Sequence, residues 1–204
     1  KFHFSSFLEA PQTLYRSIFQ LNPAEIIKVD LKKMNISKRI FWNLNHGPDF
    51  NLFFSKKEKV FDLEFEKIIK NYSISDVQPA GLLSSGLDSY LVNKYSTNRD
   101  KKFKTFSLSF NDKSFDEVKN LNKEFNKFNK NILHLEDNEI IEDTKYILKN
   151  LDHLCGDSSI VPTFTLIKDI KKHSKVLLSG DGGDEAFMGY IIFKALYGAK
   201  KLKF

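Results

Sequence analysis

Two short stretches of the sequence combine residue types that do chemistry. In LLSSGLDSYLV (residues 82–92), an apolar pair is followed by Ser84, Ser85 and Gly86, and then by Asp88 and Ser89 at the start of a helical pattern. Small residues let backbone N–H groups approach a ligand, and a helix N-terminus adds the positive end of its dipole. Such a turn suits phosphate or pyrophosphate. In KVLLSGDGGDEAFMGY (residues 175–190), Asp181, Asp184 and Glu185 stand among three glycines directly after another apolar run. Unaided carboxylates would expel a nucleotide, because two like charges about 4 Å apart cost about 4 kcal/mol at an effective dielectric of about 20. A divalent cation reverses that sign. Mg²⁺ is commonly held by one or two carboxylates plus phosphate oxygens, so Asp88 and Asp184 together predict a shared metal site.

Each loop also has an ordinary reading as a capped helix start, with Asp88 or Ser89 as cap in the first and Asp184 in the second. Their co-occurrence favours chemistry, since one supplies phosphate donors and the other metal-binding charge. GxxxxGK[ST] is absent, so the first loop is not the phosphate loop of kinases and GTPases.

The elements that must position these loops follow from hydrophobic patterning. AGLLS leads into DSYLVNKYS, KTFSLSF into FDEVKNLNKEFNKF, NILHLE into IIEDTKYILKNL, and KVLLS into DEAFMGYIIFKALY. Short strands alternating with helices predict an α/β fold, a parallel twisted sheet with helices on both faces. Ligands of such sheets bind at the carboxyl ends of strands where strand order reverses, and both loops lie at such ends. Upstream, EIIKVD and NISKRIF, separated by a polar turn, predict a hairpin. Phe61, Phe65, Ile68, Ile69 and Tyr72 fall at helical spacing and predict one buried helix face. A domain boundary is expected near residues 45–57, where NHGPDFNLFFSKKEK offers a Gly-Pro turn and a charged stretch.

Composition bounds the function classes. The chain has 204 residues, 41% hydrophobic, with a formal net charge of +6 and one cysteine, Cys155. That hydrophobic content suits one or two domains with a sizeable core. A single cysteine excludes an internal disulfide and matches a reducing compartment, so a cytoplasmic location is expected, with Cys155 in a packing role. No apolar stretch reaches the roughly 20 residues of a membrane span, and KFHFSSFLEA lacks the features of a signal peptide. Lysines are spread among acids, which indicates a solvated surface and no nucleic-acid partner. His134 and His153 lack zinc spacing and read as strand-end or surface residues. The twenty phenylalanines read as core residues. Asp157, Ser158 and Ser159 precede a helix expected near Pro162, where capping and substrate contact are equally open.

The SSGLDS turn resembles the S-G-G-x-D-S loop of ATP pyrophosphatases, with Ser85 in place of a glycine. Paired with LSGDGGDEAFMGY, it resembles the synthetase domain of glutamine-dependent asparagine synthetases. KTFSLSF with FDE, NILHLE and DSSIVPTFTL recur in that family's order, over about residues 57–197. EAPQTLYRSIFQLNPAEIIKVD, with Phe41 and Trp42, resembles the end of the family's N-terminal glutaminase domain, with Ala24 where glycine often stands.

The resemblance implies two parts: residues 1–50 as a β-rich remnant of a glutaminase domain, and residues 57–204 as an ATP-binding synthetase domain truncated at its C-terminus. It implies that Leu82 and Leu108 flank the adenine, Ser84, Ser85, Gly86, Asp88 and Ser89 surround the phosphates, and Ser179 and Gly180 lie along the adenosine. Asp88 and Asp184 would hold Mg²⁺. Asp181, where many relatives carry glutamate, would act with Asp184 in catalysis, on the acyl-adenylate and incoming ammonia. The implied reaction is ATP-dependent amide formation, most simply asparagine from aspartate and glutamine-derived ammonia. A homodimer is the expected full-length assembly. A piece without the N-terminal cysteine nucleophile and a later pyrophosphate-stabilising lysine is expected to be inactive alone. Three alternatives stay open: an amidotransferase or lactam-forming ligase acting on another carboxylate, a nucleotide-binding module without turnover, and a tRNA-modifying relative. The lone cysteine and the SGDGGDE loop argue against the last.

Overall fold

In a computed structural model, residues 7–43, 57–112, 116, 118–121, 123–153 and 155–201 are described. The expected boundary near residues 45–57 and most of the FDE motif (residues 115–117) lie outside them. Two units are distinguished, one comprising residues 1–57 and 145–160, the other residues 58–144 and 161–204.

In the first unit the expected hairpin is present. Strands β1 (Glu25–Asp30) and β2 (Asn35–Ile40) pair antiparallel, with Glu25 opposite Ile40 and Asp30 opposite Asn35. Asp30 shapes the connecting turn, its Oδ1 accepting the N–H groups of Lys32 and Lys33 at 3.0 Å each. The chain enters β1 through Asn22-Pro23-Ala24-Glu25, where the Glu25 N–H donates to the Asn22 carbonyl at 3.1 Å. Proline at the second position and φ of +58° at Ala24 are the signature of a type II turn, whose third position favours glycine. Just before the helix that starts at Ile160, Asp157 Oδ1 accepts the Ser159 N–H at 2.9 Å, an Asx turn that leads into the helix.

The second unit is the expected α/β layer. Helix α1 (Lys57–Tyr72) precedes β3 (Ala80–Leu82), α2 (Leu87–Arg99), β4 (Lys104–Phe110), β5 (Asn129–Leu135) and α3 (Asp137–Asn150), whose residues from Lys145 onward are counted in the first unit. Helix α4 (Ile160–Ile170), strand β6 (Leu177–Leu178), and helices α5 (Gly183–Phe187) and α6 (Ile191–Lys201) follow. The four strands are parallel in the order β5-β4-β3-β6. From β3 the chain steps outward through β4 to β5, and then returns to the other side of β3 with β6. Strand order therefore reverses between β3 and β6.

Alternation along the strands separates two cores. Leu178 joins Ile69, Val92 and Phe103, under α1 and α2. Leu177 joins the cluster of Ala80, Phe106, Leu166 and Ile170, under α4. Ile170 is fully buried, and each such side chain contributes about 1.5–3 kcal/mol. Between Ala80 and Leu82, Gly81 faces α2, where a β-carbon would run into the Asn93 side chain and stand 2.8 Å from the ring of Phe103, just before β4. Glycine is what lets α2 lie close on β3.

Three expectations are corrected. The stretch FDEVKNLNKEFNKF forms no α-helix among its described residues. It makes two short 3-10 turns, Val118–Asn120 and Lys123–Lys127; the spacing of Val118, Leu121, Phe125 and Phe128 by three or four suits either helix, and Phe125 and Phe128 pack beside Leu83 in the tighter one. DEAFMGYIIFKALY breaks into α5 and α6 at Met188, whose φ is +58°. On α1 only Ile69 is buried; Ile68 and Tyr72 remain exposed. No helix among the described residues is long and apolar enough to cross a membrane.

Candidate nucleotide site

Parallel pairing sets Ala80 and Gly81 beside Leu177 and Leu178, so β3 and β6 end side by side and release their loops into the same space. The eleven residues assigned to the nucleotide, the metal and catalysis line one cavity of about 450 Å³. Leu82, Ser84, Ser85, Gly86, Asp88 and Ser89 come from the first loop, Leu108 from β4, and Ser179, Gly180, Asp181 and Asp184 from the second. A cavity of this size accommodates a nucleotide-sized ligand.

The first loop is held by its own serines. Ser84 Oγ and Ser89 Oγ share a hydrogen bond of 2.8 Å, and the Ser84 N–H donates to Ser89 Oγ at 3.1 Å. Gly86 N–H donates to Ser84 Oγ at 3.2 Å. From below, Asn93 Nδ2 donates to the carbonyls of Leu82 and Ser89, each at 2.7 Å. Ser107 Oγ donates to the Leu83 carbonyl at 2.7 Å. The helix N-cap is Gly86, with no side-chain cap bond. Neither Asp88 nor Ser89 is the cap, so the Asp88 carboxylate is left for another role.

The second loop presses onto the first. A β-carbon on Gly180 would stand 2.7 Å from the Ser89 nitrogen, and one on Gly183 would stand 2.6 Å from Asp88 Oδ2. Here too the N-cap is a glycine, Gly182, at φ +88°, and Asp184 lies inside α5. Ser179 Oγ donates to Asp181 Oδ2 at 2.9 Å, which orients that exposed carboxylate. Tyr190 donates its hydroxyl to Glu185 Oε1 at 2.8 Å, and this bond, with burial and nearby acids, pushes the phenol up.

Electrostatics mark where a cation fits. Burial first, and then the charges of Asp184 and Glu185, push the Asp88 carboxyl above its ordinary range. Among the described residues neither Asp88 nor Asp184 has a cationic partner. No cluster of three or more His, Cys, Asp or Glu side chains able to hold a metal occurs among them, so the protein offers a partial ligand set. That donor chemistry fits Mg²⁺, which completes its shell with phosphate oxygens and water.

The cavity also has walls that patterning left unnoticed: Phe106, Phe110, Val118, Leu121, Pro162 and Leu166. Alternation along KTFSLSF places Phe106 and Phe110 on the face of Leu108, a signal present in the sequence. Asn93 left no comparable trace, being one polar residue inside a helix. His134 is exposed on β5, and exposed His153 lies 2.9 Å from the Asp152 carboxylate beside it; both fit the surface reading. Cys155 is partly buried.

A family model described as asparagine synthase matches residues 61–203. The chain is 31% identical over 198 residues to a protein named putative asparagine synthetase (glutamine-hydrolyzing) 2 from Methanocaldococcus jannaschii, covering 91% of the chain and 36% of that protein. It is 28% identical over 163 residues to asparagine synthetase (glutamine-hydrolyzing) 1 from Bacillus subtilis, covering 71% of the chain and 25% of that protein. It thus spans between 25% and 36% of the length of these relatives. With its sheet, its two loops and the match over residues 61–203, the chain belongs to the asparagine synthase family.

Proposed function

We propose that the site activates a carboxylate with ATP and passes it to ammonia, forming asparagine from aspartate in the whole protein. The observation that carries this reading is the packing of Gly180 and Gly183 against Asp88 and Ser89. It unites a phosphate-binding turn and an acidic loop around one cavity. Residues 57–204 act as the ATP-binding synthetase part and residues 1–50 as the end of a glutaminase domain that supplies ammonia. The partners are small molecules, and the setting is the cytoplasm.

Leu82 and Leu108, with Phe106 and Phe110, form the apolar wall for the base. The serines and first-turn N–H groups of α2 surround the phosphates, with Ser179 and Gly180 along the adenosine. Asp88 and Asp184 hold Mg²⁺, which when bound neutralises charge on the leaving pyrophosphate. A carboxylate oxygen of the substrate attacks the α-phosphorus as the bond to pyrophosphate breaks. Ammonia then attacks the acyl carbon, gives up a proton and displaces AMP. Asp181, oriented by Ser179 at the exposed rim, serves the amine step.

In the full-length enzyme supplied with ammonia and aspartate, Asp181→Ala is expected to keep nucleotide affinity and lose asparagine formation, whereas Asp184→Ala loses both. AMP, pyrophosphate and asparagine are followed separately. Equal loss of ATP binding in both variants would overturn the division of roles. AMP release without asparagine in the unmutated enzyme would indicate another carboxylate or acceptor.

A further inference from the structure

At the opposite end of the sheet lies a second cavity, of about 350 Å³, that shares no lining residue with the nucleotide site. Gln78, just before β3, and Phe103, just before β4, line it at the amino ends of the strands; Ser96, Arg99 and Asp100 line it from the end of α2, and Asp76 from the connection after α1. Arg99 and Asp76 carry opposite charges, yet among the described residues neither has an ion-pair partner. Asp100 is already engaged, accepting the Lys102 N–H at 2.8 Å and the Gln78 amide. The Lys102 N–H, followed by the Gln78 amide, holds its carboxyl below the usual range, so it is ionised at neutral pH. Ser96 is 2% exposed, and its hydroxyl is buried without a hydrogen-bond partner. Leaving such a group unpaired is destabilising.

We propose that this cavity binds a small α-amino acid, a ligand independent of the nucleotide reaction. Arg99 receives the α-carboxylate and Asp76 the α-ammonium. A simple anion fits poorly, since two carboxylates line the same space. A simple cation leaves Arg99 unanswered. A zwitterion meets both charges. With one guanidinium against two carboxylates, the lining carries one excess negative charge, so an acidic side chain is disfavoured. Asparagine and aspartate, nearly equal in size and different by one charge, test that preference.

The experiment titrates the isotope-labelled chain with asparagine, glycine, aspartate and inorganic phosphate, following backbone amides by NMR. Asparagine and glycine are expected to saturate amides of residues 76–79 and 96–103, with aspartate about tenfold weaker. Arg99→Met, an exposed change that leaves the core intact, is expected to weaken asparagine about tenfold or more. The proposal is overturned by an absence of shifts at these residues at millimolar asparagine, or by shifts confined to residues 84–89 and 179–184. Unchanged affinity in Arg99→Met, or phosphate binding as tightly as asparagine, would also overturn it.

Discussion

Gly183 is packed against the Asp88 carboxylate so closely that a β-carbon there would stand 2.6 Å from one oxygen and 2.9 Å from the other. Gly180, three residues earlier, meets the backbone instead, at 2.7 Å from the Ser89 nitrogen. The two contacts differ in what can yield. A carboxylate at the end of a side chain can rotate away, whereas a helix backbone cannot. Gly183→Ala is therefore expected to keep its melting temperature within a few degrees and bind Mg-pyrophosphate about tenfold more weakly. Gly180→Ala is expected to lose stability itself, by about 1–3 kcal/mol. Thermal unfolding and calorimetric titration on both variants check this pair.

Asp88→Asn removes a charge that burial and two neighbouring acids disfavour. Because Gly86 is the N-cap, no capping bond is lost with it. The expected outcome is equal or higher thermal stability together with weaker Mg-pyrophosphate binding. ATP is also expected to bind the unmutated chain weakly without Mg²⁺, since Asp88 and Asp184 would face the phosphates uncompensated. Calorimetry with and without the metal measures this, and equal affinities would contradict the shared-metal account.

A buried ion pair away from the cavity predicts an asymmetry. Asp143 accepts Lys168 Nζ at 2.7 Å and 2.8 Å and the Thr165 hydroxyl at 2.6 Å. The Asp143 side chain is 8% exposed and that of Lys168 48%. Lys168→Met strands a buried carboxylate and is expected to cost about 3 kcal/mol. Asp143→Asn strands an ammonium that can turn to water, costing about 1 kcal/mol. Chemical denaturation of both variants measures the difference.

The same pair sets a pH dependence. Burial alone would raise the Asp143 carboxyl, but Lys168 and Thr165 outweigh it and hold it below the usual range. A folded pKa below the unfolded value of about 3.9 means stability present above that pH and lost as pH falls through the folded pKa. Acid unfolding is expected to lose this contribution below about pH 4, and Asp143→Asn to flatten that limb.

Ala24 occupies a left-handed conformation, φ +58°. That conformation costs a non-glycine residue about 1–2 kcal/mol, while glycine's greater freedom in the unfolded chain returns about 0.4–1 kcal/mol of the gain. Ala24→Gly is expected to stabilise the turn by roughly 0.5–1 kcal/mol. Slower hydrogen exchange at the Glu25 and Phe41 amides, which donate to Asn22 and Ala24, reports it.

Local chemistry alone determined the composition of the two loops, the strand-helix alternation and the hairpin. Glycines beside acids and serines before a helix are contiguous signals, and the period of two in KTFSLSF differs from the helical period of α1 and α3. What lay beyond the sequence was whether Asp88 and Asp184, far apart along the chain, share one cavity. The strand order β5-β4-β3-β6 decided that, because pairing across β3 depends on which faces bury together. Tertiary contact also decided that Gly86 and Gly182 cap their helices, so neither Asp88 nor Asp184 is used as a cap. It likewise made Phe125 and Phe128 part of the core beside Leu83 through 3-10 turns: a spacing of three or four residues satisfies either helix, and only the surface beneath it selects one.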